Sequence, residues 1–93
     1  MFDDLLFIEA MQNYVTLHTV TRKYTCYLTF KSVDDFLPQD RFLKVHKSFI
    51  VALDKIQQID GSEIIISSGR ISISRSQKDE ILNLILRNKL LKR

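Results

Sequence analysis

Two stretches of strict alternation constrain this chain more than any other feature. From Tyr14 to Val20, Val15, Leu17 and Thr19 fall on one side, and Tyr14, Thr16 and His18 on the other. From Tyr24 to Phe30 the pattern repeats, with Tyr24, Cys26, Leu28 and Phe30 on the apolar side. Successive side chains point to opposite faces only in extended chain, so both runs read as strands. Thr21-Arg22-Lys23 between them reads as the tip of an antiparallel hairpin. Thr, Tyr and Val, which enrich both runs, pack well on a pleated surface. Before them, Leu5–Ala10 is a short apolar run that reads as a buried strand, and Met11-Gln12-Asn13 is a polar break.

After the hairpin the pattern changes. Ser32 is placed to cap a helix, Asp34 and Asp35 favour its first turn, and Pro38 stops it. This predicts a short helix near 32–37 whose Val33, Phe36 and Leu37 plug a sheet. In Phe42–Leu53, Val45, Phe49 and Val51 share one parity, and so does Lys47. An ammonium facing a core is costly. Strict alternation therefore cannot run through His46-Lys47-Ser48, and a bend there throws Lys47 outward. Strands are expected at Lys55–Ile59, Glu63–Ser67 and Ile71–Ser74, with turns at Asp60-Gly61 and Ser68-Gly69. The Ser74-Arg75-Ser76-Gln77 and Ser76-Gln77-Lys78-Asp79 runs fit a capping pattern before a helix near 76–88. Leu82, Ile85 and Leu86 share its apolar face, with Ile81 at the margin. Lys89, Lys92 and Arg93 follow at the end where the helix dipole favours cations. The expected fold is mainly β with small helices, built from antiparallel hairpins and short sheets.

With 93 residues the chain suits one domain, and a domain of this size buries enough surface for one core without staples. Only two Gly and one Pro exclude collagen-like and linker-like readings. No apolar run approaches the roughly 20 residues of a membrane-spanning helix, and no signal peptide opens the chain. Cys26 is alone, so an internal disulfide and a cysteine-based zinc site are out; its apolar strand position points to a buried structural thiol. The simplest compartment is the reducing cytoplasm. Charge is unevenly spread. Residues 1–40 carry three basic and six acidic groups, and residues 41–93 carry eleven basic and five acidic, a net of −3 followed by +6. The basic half invites a polyanion such as nucleic acid.

Catalytic chemistry finds no support. Gly61 and Gly69 are turn glycines rather than a phosphate loop, and His18 and His46 lack metal-ligand spacing. Ser48 near His46 is not a triad, and no carboxylate pair has a reason to act as acid and base. His46 lies in a largely apolar run and suits a hydrogen-bonded structural role, with Ser48 bonding local backbone. The expectation is no enzyme, no cofactor and no metal. A helix-turn-helix is also excluded, since only the final helix has the length. Any DNA contact must come from loops or strand ends.

Three separated motifs resemble the LytTR-type DNA-binding domain. Phe7-Ile8-Glu9-Ala10 followed by Asn13-Tyr14-Val15 is similar to the family's opening signature. Phe42-Leu43-Lys44-Val45-His46-Lys47-Ser48-Phe49-Ile50-Val51 is similar to its central one. Ile56, Ile59, Ile71, Ser72, Ser74 and Arg75 match its closing pattern. The resemblance runs from about Asp4 to Leu86. It implies a mostly β fold whose loops enter successive major grooves of duplex DNA at direct or imperfect repeats. It also implies a bacterial response regulator of a two-component system, with a receiver domain in the parent protein and a possible homodimer. The family usually has a strand pair before the position of Asp4, so the chain is expected to be a fragment of a longer regulator; an exposed strand edge would invite dimerisation.

The resemblance places the DNA contacts at Gln12, Asn13 and Tyr14, at Lys47, and at Arg75 with Gln77 and Lys78. Each has a reading from its own chemistry. The Asn13 amide can pair with adenine's major-groove edge, or Asn13 can simply be a turn residue. Lys47, forced outward between buried neighbours, suits a phosphate or guanine, or is a solvated lysine. The family commonly has Arg there, whose fork reads guanine in two bonds where Lys makes a point contact. Arg75 sits in a first helical turn, where the dipole disfavours a cation and a ligand anion explains it better. Two alternatives remain. A protein-interaction or sensory module of the same fold predicts an exposed apolar patch in place of a basic face. Single-stranded RNA binding needs aromatics exposed on one sheet face, where Tyr27 alone is a thin platform.

Overall fold

A computed structural model describes residues 4–91, with side chains described as far as Arg87. Eight strands and two helices follow one another as β1 (Leu5–Ala10), β2 (Val15–Thr19), β3 (Lys23–Cys26), α1 (Phe30–Phe36), β4 (Phe42–His46), β5 (Phe49–Ala52), β6 (Gln58–Asp60), β7 (Glu63–Ile66), β8 (Gly69–Ser72) and α2 (Lys78–Leu91). They form a five-stranded sheet of order β3-β2-β1-β5-β4 and a three-stranded sheet of order β6-β7-β8. Every pairing is antiparallel. The mainly β architecture expected from the sequence is the one observed.

The five-stranded sheet separates two apolar clusters. On one face Leu5, Ile8, Val15, Phe42, Ile50 and Ala52 pack with Val33 and Leu37 of the short helix as expected, whereas Phe36, expected to join them, is 77% exposed because the helix turns it off that face. On the other face Leu6, Val45 and Val51 pack with Ile64, Ile66 and Ile71 of the small sheet and Ile81 and Ile85 of α2. Two bulges make this sorting possible. The β1–β2 register slips between Leu5 and Phe7, so Leu5 and Ile8 face α1 while Leu6 joins the opposite cluster. The β4–β5 register slips between Lys44 and His46. That slip keeps Val45 buried and leaves Lys47 in a two-residue turn with Ser48, closed by the His46–Phe49 pair. An extra residue in one strand re-aims those after it, which resolves the parity conflict at Lys47.

Several boundaries differ from expectation, each for a physical reason. The third strand ends at Cys26, and Phe30 opens α1 instead of closing the strand. Thr29, not Ser32, is the cap: its hydroxyl accepts the Ser32 N–H at 3.1 Å and donates to Ser32 Oγ at 2.7 Å. Cys26 is consequently half-buried rather than sealed in a core. The expected strand at 55–59 is replaced by a 3-10 turn over Leu53–Lys55 and then β6. Leu53 and Ile56 are three residues apart, and the turn sends both into the core. The last strand ends at Ser72 rather than Ser74. A 3-10 turn over Arg75–Gln77 precedes α2, whose buried face is Ile81 and Ile85; Leu86 is 55% exposed and lies off that face. Lys92 and Arg93 lie outside the described residues, as does the Lys89 side chain.

Candidate nucleic-acid interface

Antiparallel register decides which loops share an end of the sheet. Ala10 pairs with Val15, Glu9 with Phe49, and Val15 with Cys26. The 11–14 loop, the 47–48 turn and the segment after Cys26 therefore emerge at one end, and the Arg22 tip at the other. Two backbone bonds then fix the candidate elements to one another. Ala10 N–H donates to the Ser48 carbonyl at 2.8 Å, joining the first loop to the Lys47 turn. Ser74 N–H donates to the Val45 carbonyl at 2.8 Å, joining the Arg75 turn to the end of β4. Lys47 lies between these two tethers. The structure thus brings together all three places expected to form the site, although they are widely separated in sequence.

Local chemistry shapes each element. Met11 N–H donates to the Tyr14 carbonyl at 2.9 Å, folding Gln12 and Asn13 into an exposed tip with Tyr14 half-buried behind it. His46 fills the structural role expected of it: its Nδ1 accepts the Ser48 N–H at 3.2 Å, and its ring lies 5.6 Å from that of Phe49. The Lys47 turn is therefore held from inside. Lys47 is exposed, as are Arg75 and Gln77; Lys78 is half-exposed at the start of α2. The Ser74 hydroxyl makes no capping bond and lies 3.2 Å from Ser76 Oγ.

Electrostatics separate these cations from Arg70 and Lys31. Arg70 is held by Glu63 at 3.0 Å and Asp60 at 3.2 Å, and those hydrogen bonds, Glu63 foremost, raise its already high pKa. Lys31 pairs with Asp35. Among the described residues no carboxylate lies within ion-pair distance of Lys47, Arg75 or Lys78. Unneutralised cations on adjoining loops are the arrangement that attracts a polyanion. No cluster of His, Cys, Asp or Glu among the described residues could hold a metal ion. No helix among them is long and apolar enough to cross a membrane.

A profile of the LytTr DNA-binding domain matches residues 1–86. The chain belongs to the LytTR DNA-binding domain family. Its relatives include the sensory transduction protein LytT of Bacillus anthracis, 27% identical over 89 residues, and that of Bacillus cereus, 26% identical over 89 residues. Each alignment covers 89% of this chain and 36% of the relative, so the chain spans little more than a third of their length. A solved LytTr DNA-binding domain from a methyl-accepting/DNA response regulator of Bacillus cereus superposes with a TM-score of 0.80. It is 24% identical and covers 90% of this chain and 83% of that one, which establishes the shared fold.

Sequence reasoning about this LytTR domain missed two things. The first is the pair of tethers, which use backbone atoms that any residue supplies and so leave no signature. The second is the placement of Tyr27, expected to be exposed and found 80% exposed, at the same end of the sheet and 5.8 Å from the Tyr14 ring. Its position outside the alternating pattern's apolar side was the available signal.

Proposed function

We propose that this LytTR domain binds double-stranded DNA in a sequence-dependent way, without chemistry, as the output module of a bacterial transcriptional response regulator. The observation that carries this reading is the convergence of the Gln12–Tyr14 tip, the Lys47 turn and the Arg75 turn on one end of the sheet through the Ala10–Ser48 and Val45–Ser74 bonds. In this reading Asn13 and Gln12 present amides to base edges, and Arg75 makes a forked contact to guanine. Lys47, Lys78 and Gln77 hold phosphates, and Tyr14 supports the tip. Short loops on a rigid sheet suit groove entry because backbone tethers fix their spacing before DNA arrives. A domain with one such end reads one short site, so pairs on direct or imperfect repeats, a receiver domain elsewhere in the parent protein, and a homodimer on DNA belong to the same proposal.

Selection of bound duplexes from a random pool, followed by a salt titration on the winner, tests it. If about five phosphates are neutralised, log K falls against log salt with a slope near −4.5. Arg75→Ala should cost about 1–3 kcal/mol on the selected site and much less on random duplex. A slope near zero, or an unchanged affinity in the folded Arg75→Ala variant, contradicts the reading.

One observation favours a second reading, a protein-interaction module of the same fold. Leu17, Tyr24, Cys26 and Leu28 face Val33 and Phe36 of α1 across an open apolar groove of about 760 Å³. Phe36 is 77% exposed there. Apolar patches of this kind mark partner sites more often than chance. The groove lies on the α1 face and takes in none of Lys47, Arg75 and Lys78, so DNA selection that fails outright is the result that turns the balance toward it.

A further inference from the structure

The Tyr27–Thr29 segment emerges at the same end of the sheet as the three proposed DNA-contacting elements, because Cys26 pairs with Val15 at the mouth of the 11–14 loop. Between this segment and the loop lies a trough of about 390 Å³. Gln12, Asn13 and Tyr14 line one wall, and Tyr27, Thr29 and Phe30 the other. The Tyr14 and Tyr27 rings meet at 5.8 Å with their planes tilted by 59°. Lys44 lies on β4 with its Nζ 5.5 Å from the centre of the Phe30 ring. Its partner across the strands is Ile50, on the sheet face that carries α1, so its head lies over Phe30, a residue of the trough's wall, on the face opposite Val45.

Each of these features has a modest structural explanation alone. Together they do not. Tyr27 at 80% exposure adds little to any core, yet it is a large ring held against another ring. Lys44 has no carboxylate within ion-pair distance among the described residues. The trough's walls therefore carry two phenols, whose hydroxyls donate well to phosphate oxygens, and a cation is seated on the Phe30 ring that closes one wall. It offers no carboxylate on its walls to repel an anion. Half or more of protein–DNA hydrogen bonds go to the sugar–phosphate backbone, from groups of this kind, and they set register without reading sequence.

We propose that this trough is a fourth DNA contact, in which the Tyr14 and Tyr27 hydroxyls and the Lys44 ammonium grip the sugar–phosphate backbone of the strand that passes the Gln12–Asn13 tip. It rests on the duplex-binding reading above and extends it to Tyr27 and Lys44, to which the resemblance assigns no contact. Its role is positioning. The grip sets the height of the 11–14 tip over the groove and adds affinity equally for every sequence.

The test compares the 93-residue chain with three variants, Lys44→Met, Tyr27→Phe and Arg75→Ala, on the selected duplex and on a random-sequence duplex over a range of salt. Lys44→Met keeps the stem over Phe30 and removes only the charge. The expected result is a slope of log K against log salt shallower by about 0.9, with affinity for both duplexes reduced by the same factor. Tyr27→Phe removes one hydroxyl from an exposed ring and should weaken both duplexes about threefold to tenfold with the slope unchanged. Arg75→Ala serves as the contrast, since it should lose preference for the selected site. If Arg75→Ala loses that preference while Lys44→Met keeps the wild-type slope and Tyr27→Phe the wild-type affinity, the trough is not a contact and the duplex-binding reading stands. If the wild-type chain binds neither duplex, both fall. Tyr27→Phe changes a solvent-facing atom, so it reports even if Lys44→Met does not fold.

Discussion

Replacing Ser74 with proline isolates the tether that holds the Arg75 turn against the β4–β5 hairpin. Ser74 has φ −59° and ψ 129°, which proline adopts without strain. The substitution therefore acts only at the nitrogen, by removing the N–H and putting a carbon in its place. In the wild type that N–H reaches the Val45 carbonyl with an N···O distance of 2.8 Å. Proline puts its Cδ roughly 1.5 Å from the nitrogen, along much the same direction as the former hydrogen. That leaves little more than about 1 Å to the carbonyl oxygen, where a carbon–oxygen contact needs roughly 3.3 Å. The Arg75 turn must back away from β4 by about 2 Å, and the Val45 carbonyl is orphaned at a cost of about 1–3 kcal/mol. For a domain of this size each kcal/mol lowers Tm by about 4–8 °C. A displacement of this size exceeds the tolerance of a hydrogen bond, so under the proposed DNA-binding reading Arg75 and Lys47 would no longer engage one groove together. The selected duplex should bind about tenfold to a hundredfold more weakly, the loss of one good base contact. Thermal unfolding followed by circular dichroism and a fluorescence anisotropy titration measure the two effects. Ser74→Ala is the control, because it keeps the N–H and loses only the exposed contact to Ser76. A Ser74→Pro protein that melts and binds like Ser74→Ala would falsify the tether as the device that registers the two turns.

Two further perturbations probe the frame that carries the loops. Ile85 is 1% exposed beneath α2 while Leu86 beside it is 55% exposed; Ile85→Ala should cost about 2–5 kcal/mol in denaturant titration and Leu86→Ala under about 0.5, and equal losses would mean the helix is rotated from its described face. Gly61 holds φ +64° in the β6–β7 turn with open space where a Cβ would go, so Gly61→Ala should cost about 1–2 kcal/mol through conformation alone and Gly61→Asn less; an alanine variant as stable as wild type would show that the turn changes type at no cost.

The sequence by itself determined the β character of this chain, its first hairpin and the outward turn at Lys47. These follow from period-two alternation and from the cost of burying an ammonium, both local in origin. The short helix before Pro38 and the helix beyond Ser76 were legible from the proline stop and the apolar spacing, although the caps expected at Ser32 and Ser74 are not the ones formed. Signature residues carried the family, and with it the expectation that Asn13, Lys47 and Arg75 act together.

What brings those three residues together was decided only in three dimensions. The Ala10–Ser48 and Val45–Ser74 bonds join backbone atoms, which every residue carries, so no side-chain pattern could announce them. The bulges at Leu6 and Val45 depend on which face of the sheet each partner layer covers, and hence on α1 and α2 arriving from elsewhere in the chain. The 3-10 turn at Leu53–Lys55 delayed the start of the expected strand from Lys55 to Gln58, because Leu53 and Ile56 had to reach one core already bounded by Val51, Ile64 and Ile71. Packing chose among local conformations that differ by little energy, because burying an isoleucine stabilises by about 1.5–3 kcal/mol and local strand or turn preference by less than about 1. The trough beside Tyr27 arose the same way: the chain leaves the sheet at Cys26, where strand pairing ends, and that exit sets one tyrosine against another.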